Sequence, residues 1–151
     1  SDNKPSIAAL LVQKEVAERI CAKSGDLSVL SVASQIYADC ELGQFVPREL
    51  FTPPPKVDSQ VVVLKSREQN LIEIFNSKNN CKISEREFFR IVKAGFAAKR
   101  KKIAKSLSAN LAISKERTTE ILEKCEISPD LRAQDLKIEE WLKISKIFYS
   151  K

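Results

Sequence analysis

The chain has 151 residues, 43% of them hydrophobic, which suits one ordinary domain or two small ones with a real core. A formal net charge of +6 with no histidine points to an anionic partner and leaves no Cys/His metal site. No apolar run approaches the roughly 20 residues that cross a bilayer, and no signal-peptide pattern opens the chain.

Residues 1–6 are polar and without periodicity. Ile7 to Val12 is a continuous apolar run, the pattern of a strand buried on both faces. Lys14 to Cys21 turns helical, with Val16, Ala17 and Ile20 on one face. Glu15 and Glu18 on that helix read as surface partners of Arg19 and Lys14. Lys23 to Asp26 breaks it, and Leu27 to Tyr37 reads as a second helix. Asp39 to Val46 is the next strand, closed by the turn Pro47-Arg48-Glu49.

The run Phe51-Thr52-Pro53-Pro54-Pro55-Lys56-Val57-Asp58-Ser59 organises this first part. Three consecutive prolines fix φ and remove three donors, so they form a stiff connection rather than a helix or a central strand. The β-branched residues that follow, Val57 and Val61 to Leu64, read as a buried strand. It follows Asp39–Val46 without a helical crossover, so the two are expected to be antiparallel neighbours. On local chemistry Phe51 is either a core residue or an aromatic held at the mouth of a rigid turn.

From Lys65 the composition turns polar, Leu71 to Phe75 is a short apolar patch, and Ser77 to Asn80 reads as a loop. The boundary is placed near Ser66, dividing the chain into 1–66 and 67–151. Everything beyond reads as helix. Ser84-Glu85-Arg86-Glu87 is a capping box. Phe89, Val92, Phe96, Ile103 and Leu107 then fall on one arc of a helix, with Arg86, Arg90, Lys93, Lys101 and Lys105 opposite. Gly95 lies between, as a weak point or a place of close approach, and the helix can break in two there. Nine basic residues against two acidic ones lie between Lys82 and Lys105, a local excess above the whole-chain net charge. Most charge runs are solvated faces, but these cations lie on one side of an apolar seam, as phosphate contacts require. Ser114 caps a further helix through Lys124. Ile138 to Tyr149 closes the chain, with Trp141 and Phe148 expected in the core.

Cys21, Cys40, Cys81 and Cys125 lie far apart and read as free thiols. The only glycines, Gly25, Gly43 and Gly95, are scattered, so no Gly-rich nucleotide turn is present. There is no Met anywhere, so the chain reads as a piece of a longer protein.

Three ordered stretches carry a resemblance: Leu11-Val12-Gln13-Lys14-Glu15-Val16-Ala17-Glu18-Arg19, then the Phe51 to Ser59 run, then Phe88-Phe89-Arg90 through Lys99-Arg100-Lys101-Lys102. Together the chain resembles the ribosomal RNA adenine N6-dimethyltransferases, and most of all the bacterial form acting on two adjacent adenines near the 3′ end of 16S RNA. The second stretch is similar to that family's Phe-x-Pro-x-Pro-Lys-Val-x-Ser segment. The resemblance implies an α+β fragment: about three strands remaining from a Rossmann-like methyltransferase sheet, then a small all-helical RNA-binding domain. The last strand would insert antiparallel. The S-adenosylmethionine turn and the Asn-Leu-Pro-Tyr catalytic segment would lie outside this chain. No catalytic, cofactor-binding or metal residue is therefore assigned, and no cofactor is expected for this piece alone.

The resemblance places Phe51, Pro53 and Lys56 at the wall of the adenine site. It places Arg86, Arg90, Lys93, Lys99, Arg100, Lys101, Lys102 and Lys105 on RNA. Where the family often has Phe-x-Gln-Arg-Arg-Lys, this chain has Phe96-Ala97-Ala98-Lys99-Arg100-Lys101, without the Gln. The implied partner is small-subunit ribosomal RNA or the 30S precursor, met by a cytoplasmic monomer with no membrane and no metal. The alternatives are a stand-alone RNA-binding or assembly module, and a piece of a 23S-directed resistance methyltransferase.

Overall fold

A computed structural model describes residues 6–150; the polar start of the chain, residues 1–5, lies outside it. The chain divides into two compact units. The first takes in the described residues up to Ala22 together with Leu30–Asn70, and the second takes in Lys23–Val29 and the chain from Leu71 onward.

In the first unit, β1 (Ile7–Gln13) runs directly into α1 (Lys14–Ile20). α2 (Val29–Tyr37) leads into β2 (Ala38–Val46), and β3 (Ser59–Ser66) follows the proline turn. The three strands form one sheet in the order β1-β3-β2, with β3 antiparallel to both neighbours. The last strand thus inserts between the two earlier ones, as a methyltransferase-like sheet end requires. Val62 pairs with Leu10 on one side and Leu42 on the other, and it is fully buried. Gly43 sits in the β2 irregularity between Leu42 and Phe45, where a Cβ would come within 3.0 Å of Cγ1 of Val61.

Two strand expectations need correction. β1 forms, but it is not buried on both faces. Ile7, Leu10 and Leu11 are 70%, 46% and 51% exposed, because among the described residues β3 is the one strand paired with β1. An apolar run signals burial only when something lies on each side of it. Val57 belongs to no strand and is largely exposed, since β3 begins at Ser59 after the turn has ended.

The second unit is helical: α3 (Leu71–Asn79), α4 (Glu85–Phe96), α5 (Ile103–Leu111), α6 (Lys115–Lys124) and α7 (Ile138–Tyr149). Ser77 to Asn79 is the last turn of α3 rather than loop, and Asn80 ends it with φ 50°. Asn is among the few residues that tolerate that conformation. The Ser84–Glu87 capping box opens α4: Ser84 Oγ accepts from the Glu87 amide at 3.0 Å, and Glu87 Oε1 accepts from the Ser84 amide at 2.9 Å. The core gathers Phe88, Ile91 and Val92 of α4, Ile103 and Leu107 of α5, Ile121 and Leu122 of α6, and Trp141 of α7.

Lys23–Val29 explains why the second helix starts later than Leu27. The Gly25 and Leu27 amides both donate to Gln134 O (2.9 and 3.2 Å), and Ser24 Oγ donates to Asp135 O at 2.7 Å. Leu27 is buried in the helical unit, so its amide is already engaged before α2 begins at Val29.

Candidate nucleic-acid interface

The arc from Phe89 to Leu107 is not one helix. α4 ends at Phe96, a turn occupies 97–102, and α5 restarts at Ile103. The break comes just after Gly95, whose missing side chain leaves room for Trp141: a Cβ there would lie 2.6 Å from Cζ3 of that ring. Trp141 stacks on Phe96 with centroids 5.3 Å apart. Ser106 Oγ, fully buried on α5, donates towards the carbonyls of Ala94 and Gly95 (3.0 and 2.7 Å), which have no helical partner at the end of α4.

This break divides the cationic stripe in three. Arg86, Arg90 and Lys93 stay together on the exposed side of α4 and line a cleft of about 500 Å³ with Phe89 and Asn110. Among the described residues no carboxylate lines that cleft. Arg90 is held in place there: Nη1 donates to Tyr149 Oη at 3.2 Å, and the guanidinium lies 5.5 Å from the Phe148 ring centroid. Phe148 is therefore half-buried beneath a cation instead of in the core, while Trp141 is fully buried. Phe89 is also displaced from its expected place. The buried side of α4 runs through Phe88, Ile91, Val92 and Gly95, and Phe89 remains half-buried against the cleft.

Lys99, Arg100 and Lys101 are all exposed in the turn. Lys102 and Lys105 belong to a different cleft, of about 480 Å³, where Lys115 joins them. Asp130 lies 3.0 Å from Lys102 Nζ and offsets part of that charge. Lys115 carried no signal in the sequence beyond being the first residue of a helix. Asn110 carried none, because only the packing of α5 beside α4 brings it to Arg86.

In the first unit, Phe51 is half-buried and Pro53 and Lys56 are exposed. The turn is tied to its surroundings by Asp58. Its carbonyl accepts from the Lys14 amide at 3.0 Å, and its carboxylate accepts from the Arg48 amide at 2.9 Å. Lys56, Lys14 and Arg48 share a shallow cleft of about 440 Å³, which also holds Glu15, Glu18 and Asp58. Glu15 is engaged by Arg19 at 2.6 Å and Glu18 lies 3.8 Å from Lys14, so this cleft is balanced in charge. Phe51 does not line it.

The cysteines are free thiols, and burial raises Cys40 and Cys125 to about 11. Among the described residues no group of three His, Cys, Asp or Glu side chains could hold a metal ion. None of their helices is long and apolar enough to cross a membrane.

The family model described as Ribosomal RNA adenine dimethylase matches residues 3–150. The chain belongs to the ribosomal RNA adenine dimethylase family. It is 42% identical over 150 residues to Ribosomal RNA small subunit methyltransferase A of Fusobacterium nucleatum, covering 97% of this chain and 54% of that protein. It is 43% identical over 140 residues to the protein of the same name from a Nostoc species, covering 91% of this chain and 48% of that one. The chain thus spans about half the length of the curated relatives it matches. Among solved structures it is similar to a dimethyladenosine transferase from Plasmodium falciparum, with TM-score 0.66 and 25% identity over 91% of this chain and 56% of that one. The 23S rRNA methyltransferase ErmE shares the fold, with TM-score 0.62 at 24% identity over 93% of this chain and 53% of that one. Within this dimethylase family, the three-stranded sheet and the helical unit together correspond to about half of a longer protein.

Proposed function

We propose that this chain is the RNA-facing half of an enzyme that dimethylates two adjacent adenines of small-subunit ribosomal RNA during ribosome assembly in the cytoplasm. The observation that carries the RNA-binding part is the α4 cleft, with three cations and, among the described residues, no carboxylate on its walls. Charge of one sign on a concave face attracts phosphate and concentrates the field that steers it. Lys99, Arg100 and Lys101 extend that footprint into the adjoining turn, and Lys102 and Lys105 carry it to α5. In the first unit Phe51, Pro53 and Lys56 would form one wall of the adenine pocket, because N6 of a stacked base is out of reach and the base must be held by its face. The family match over 3–150 supports the enzyme class.

The methyl donor of such an enzyme is S-adenosylmethionine, and this chain's own residues do not fit it. Gly43 is packed on Val61, Gly95 lies beneath Trp141, and Gly25 lies in the turn held by Gln134. β1 enters α1 through Gln13 and Lys14 with no glycine between. The donor would be held by the other half of the relatives' length, whose strands would also cover the exposed apolar edge of β1. Titration calorimetry on the 151-residue chain tests the division of labour. Binding to small-subunit RNA without a heat of binding for S-adenosylmethionine is expected. A micromolar one-to-one isotherm with the donor would overturn it.

A further inference from the structure

The α4 cleft is built for more than a run of phosphates. Tracking a duplex backbone needs only a cationic face, whereas this open cleft of about 500 Å³ also has an aromatic ring among its walls. Ala94 and Ala97 keep one wall low, so the space beside Phe89 is not filled by side chains of α4 itself. Phe89 is steadied edge-to-face by Phe88, with centroids 5.2 Å apart and planes at 78°.

Asn110 supplies a directional polar group. Its Nδ2 donates to Ser106 O at 2.8 Å, which fixes the amide and leaves Oδ1 as an acceptor. Each base carries a donor for such an oxygen on its Watson–Crick edge, an exocyclic amine in adenine, cytosine and guanine and N3–H in uracil, so the amide can hold an unpaired base of any identity. Arg90, restrained by Tyr149 and Phe148, offers a preorganised guanidinium, and Arg86 and Lys93 flank it on the same helix face. Unstacked nucleotides of RNA are recognised by this combination of ring, amide and cations, and paired ones are not.

We propose that this cleft holds one unstacked nucleotide of the bound RNA, with its base on Phe89 and Asn110 and its phosphates on Arg86, Arg90 and Lys93. The inference rests on the chain's being an RNA-binding unit, and it adds a site for a single extruded base.

Fluorescence anisotropy of the full chain with three RNA hairpins tests it. The hairpins differ at one position: a fully paired stem, the same stem with one bulged adenosine, and the same stem with one bulged uridine. Both bulged stems are expected to bind about tenfold tighter than the paired stem, within the range that stacking one base on an aromatic ring supplies. Phe89→Leu should abolish that preference while leaving affinity for the paired stem, and Arg90→Ala should weaken all three. Asn110 is exposed, so Asn110→Ala keeps the test open should Phe89→Leu fail to fold. It should weaken both bulged stems and leave the paired stem unchanged. Equal binding of paired and bulged stems by the unaltered chain would overturn the nucleotide site and leave RNA binding intact. Failure to bind any hairpin would overturn both.

Discussion

Gly95 shows how much one missing methyl group can decide. An alanine there would gain up to about 1 kcal/mol in helix propensity. Its Cβ would meet the ring of Trp141, which is fully buried and stacked on Phe96 with no direction in which to yield. Overpacking of this kind costs about 1–3 kcal/mol. A contact of 2.6 Å with a buried ring puts Gly95→Ala at the upper end of that range, about 2 kcal/mol net of the propensity gain, so the melting temperature of the helical unit is expected to fall by about 5 °C or more, and an unchanged or raised melting temperature would refute the packing argument. Phe51 presents the opposite case, a large side chain only half-buried. In the full-length enzyme Phe51→Ala should slow single-turnover methylation by about ten- to a hundredfold, since a lost base stack is worth roughly 1–3 kcal/mol. The melt should scarcely change. A core role predicts the reverse, a loss of about 3–5 kcal/mol in stability with normal turnover per folded molecule. Cys125 is buried, and burial is the first cause raising its thiol to about 11. At pH 8 its alkylation should be more than about a hundredfold slower than that of an unhindered thiol. Because the folded state holds this proton more tightly than the unfolded chain, its contribution is complete below the ordinary value of 9.0 and is lost as pH rises towards about 11. Rapid alkylation at pH 8 would show that the site opens.

Among the elements, those with local chemistry of their own were legible. The Ser84–Glu87 box named the start of α4 from four residues, and Ser114 named the start of α6, because a cap is a bond between near neighbours. The three prolines announced the turn before β3, and the missing crossover announced an antiparallel pair. What the sequence could not show depended on distant partners. Helical spacing continued past Gly95, so residues 89 to 107 looked like one arc, yet Trp141 and Ser106 end α4 from 46 and 11 residues away. Leu27 looked helical until Gln134 took its amide. β1 looked buried on both sides because its composition records an environment that the described residues provide on one side only. The same blindness hid part of the candidate interface: Arg86, Arg90 and Lys93 could be read from a helical wheel, but Asn110 and Lys115 could not.

At the scale of the whole chain, charge and family point in one direction. The net charge of +6 is concentrated between Lys82 and Lys105, in the unit that holds no strand among its described residues. On the function proposed above, that unit would supply affinity, and the sheet with its proline turn would supply a wall for the target base. The most direct test is the salt dependence of binding to small-subunit RNA fragments, for the unaltered chain and for one carrying Arg90→Ala, Lys93→Ala, Lys101→Ala and Lys105→Ala. All four side chains are exposed, so the altered chain should fold normally. Each phosphate contact contributes about 0.7–0.9 to the slope of log K against log salt. The account predicts a slope shallower by about three and a loss of affinity shared about equally by different RNA fragments. Unchanged affinity and an unchanged slope would contradict it, and would reduce the cationic stripe to a solvated face.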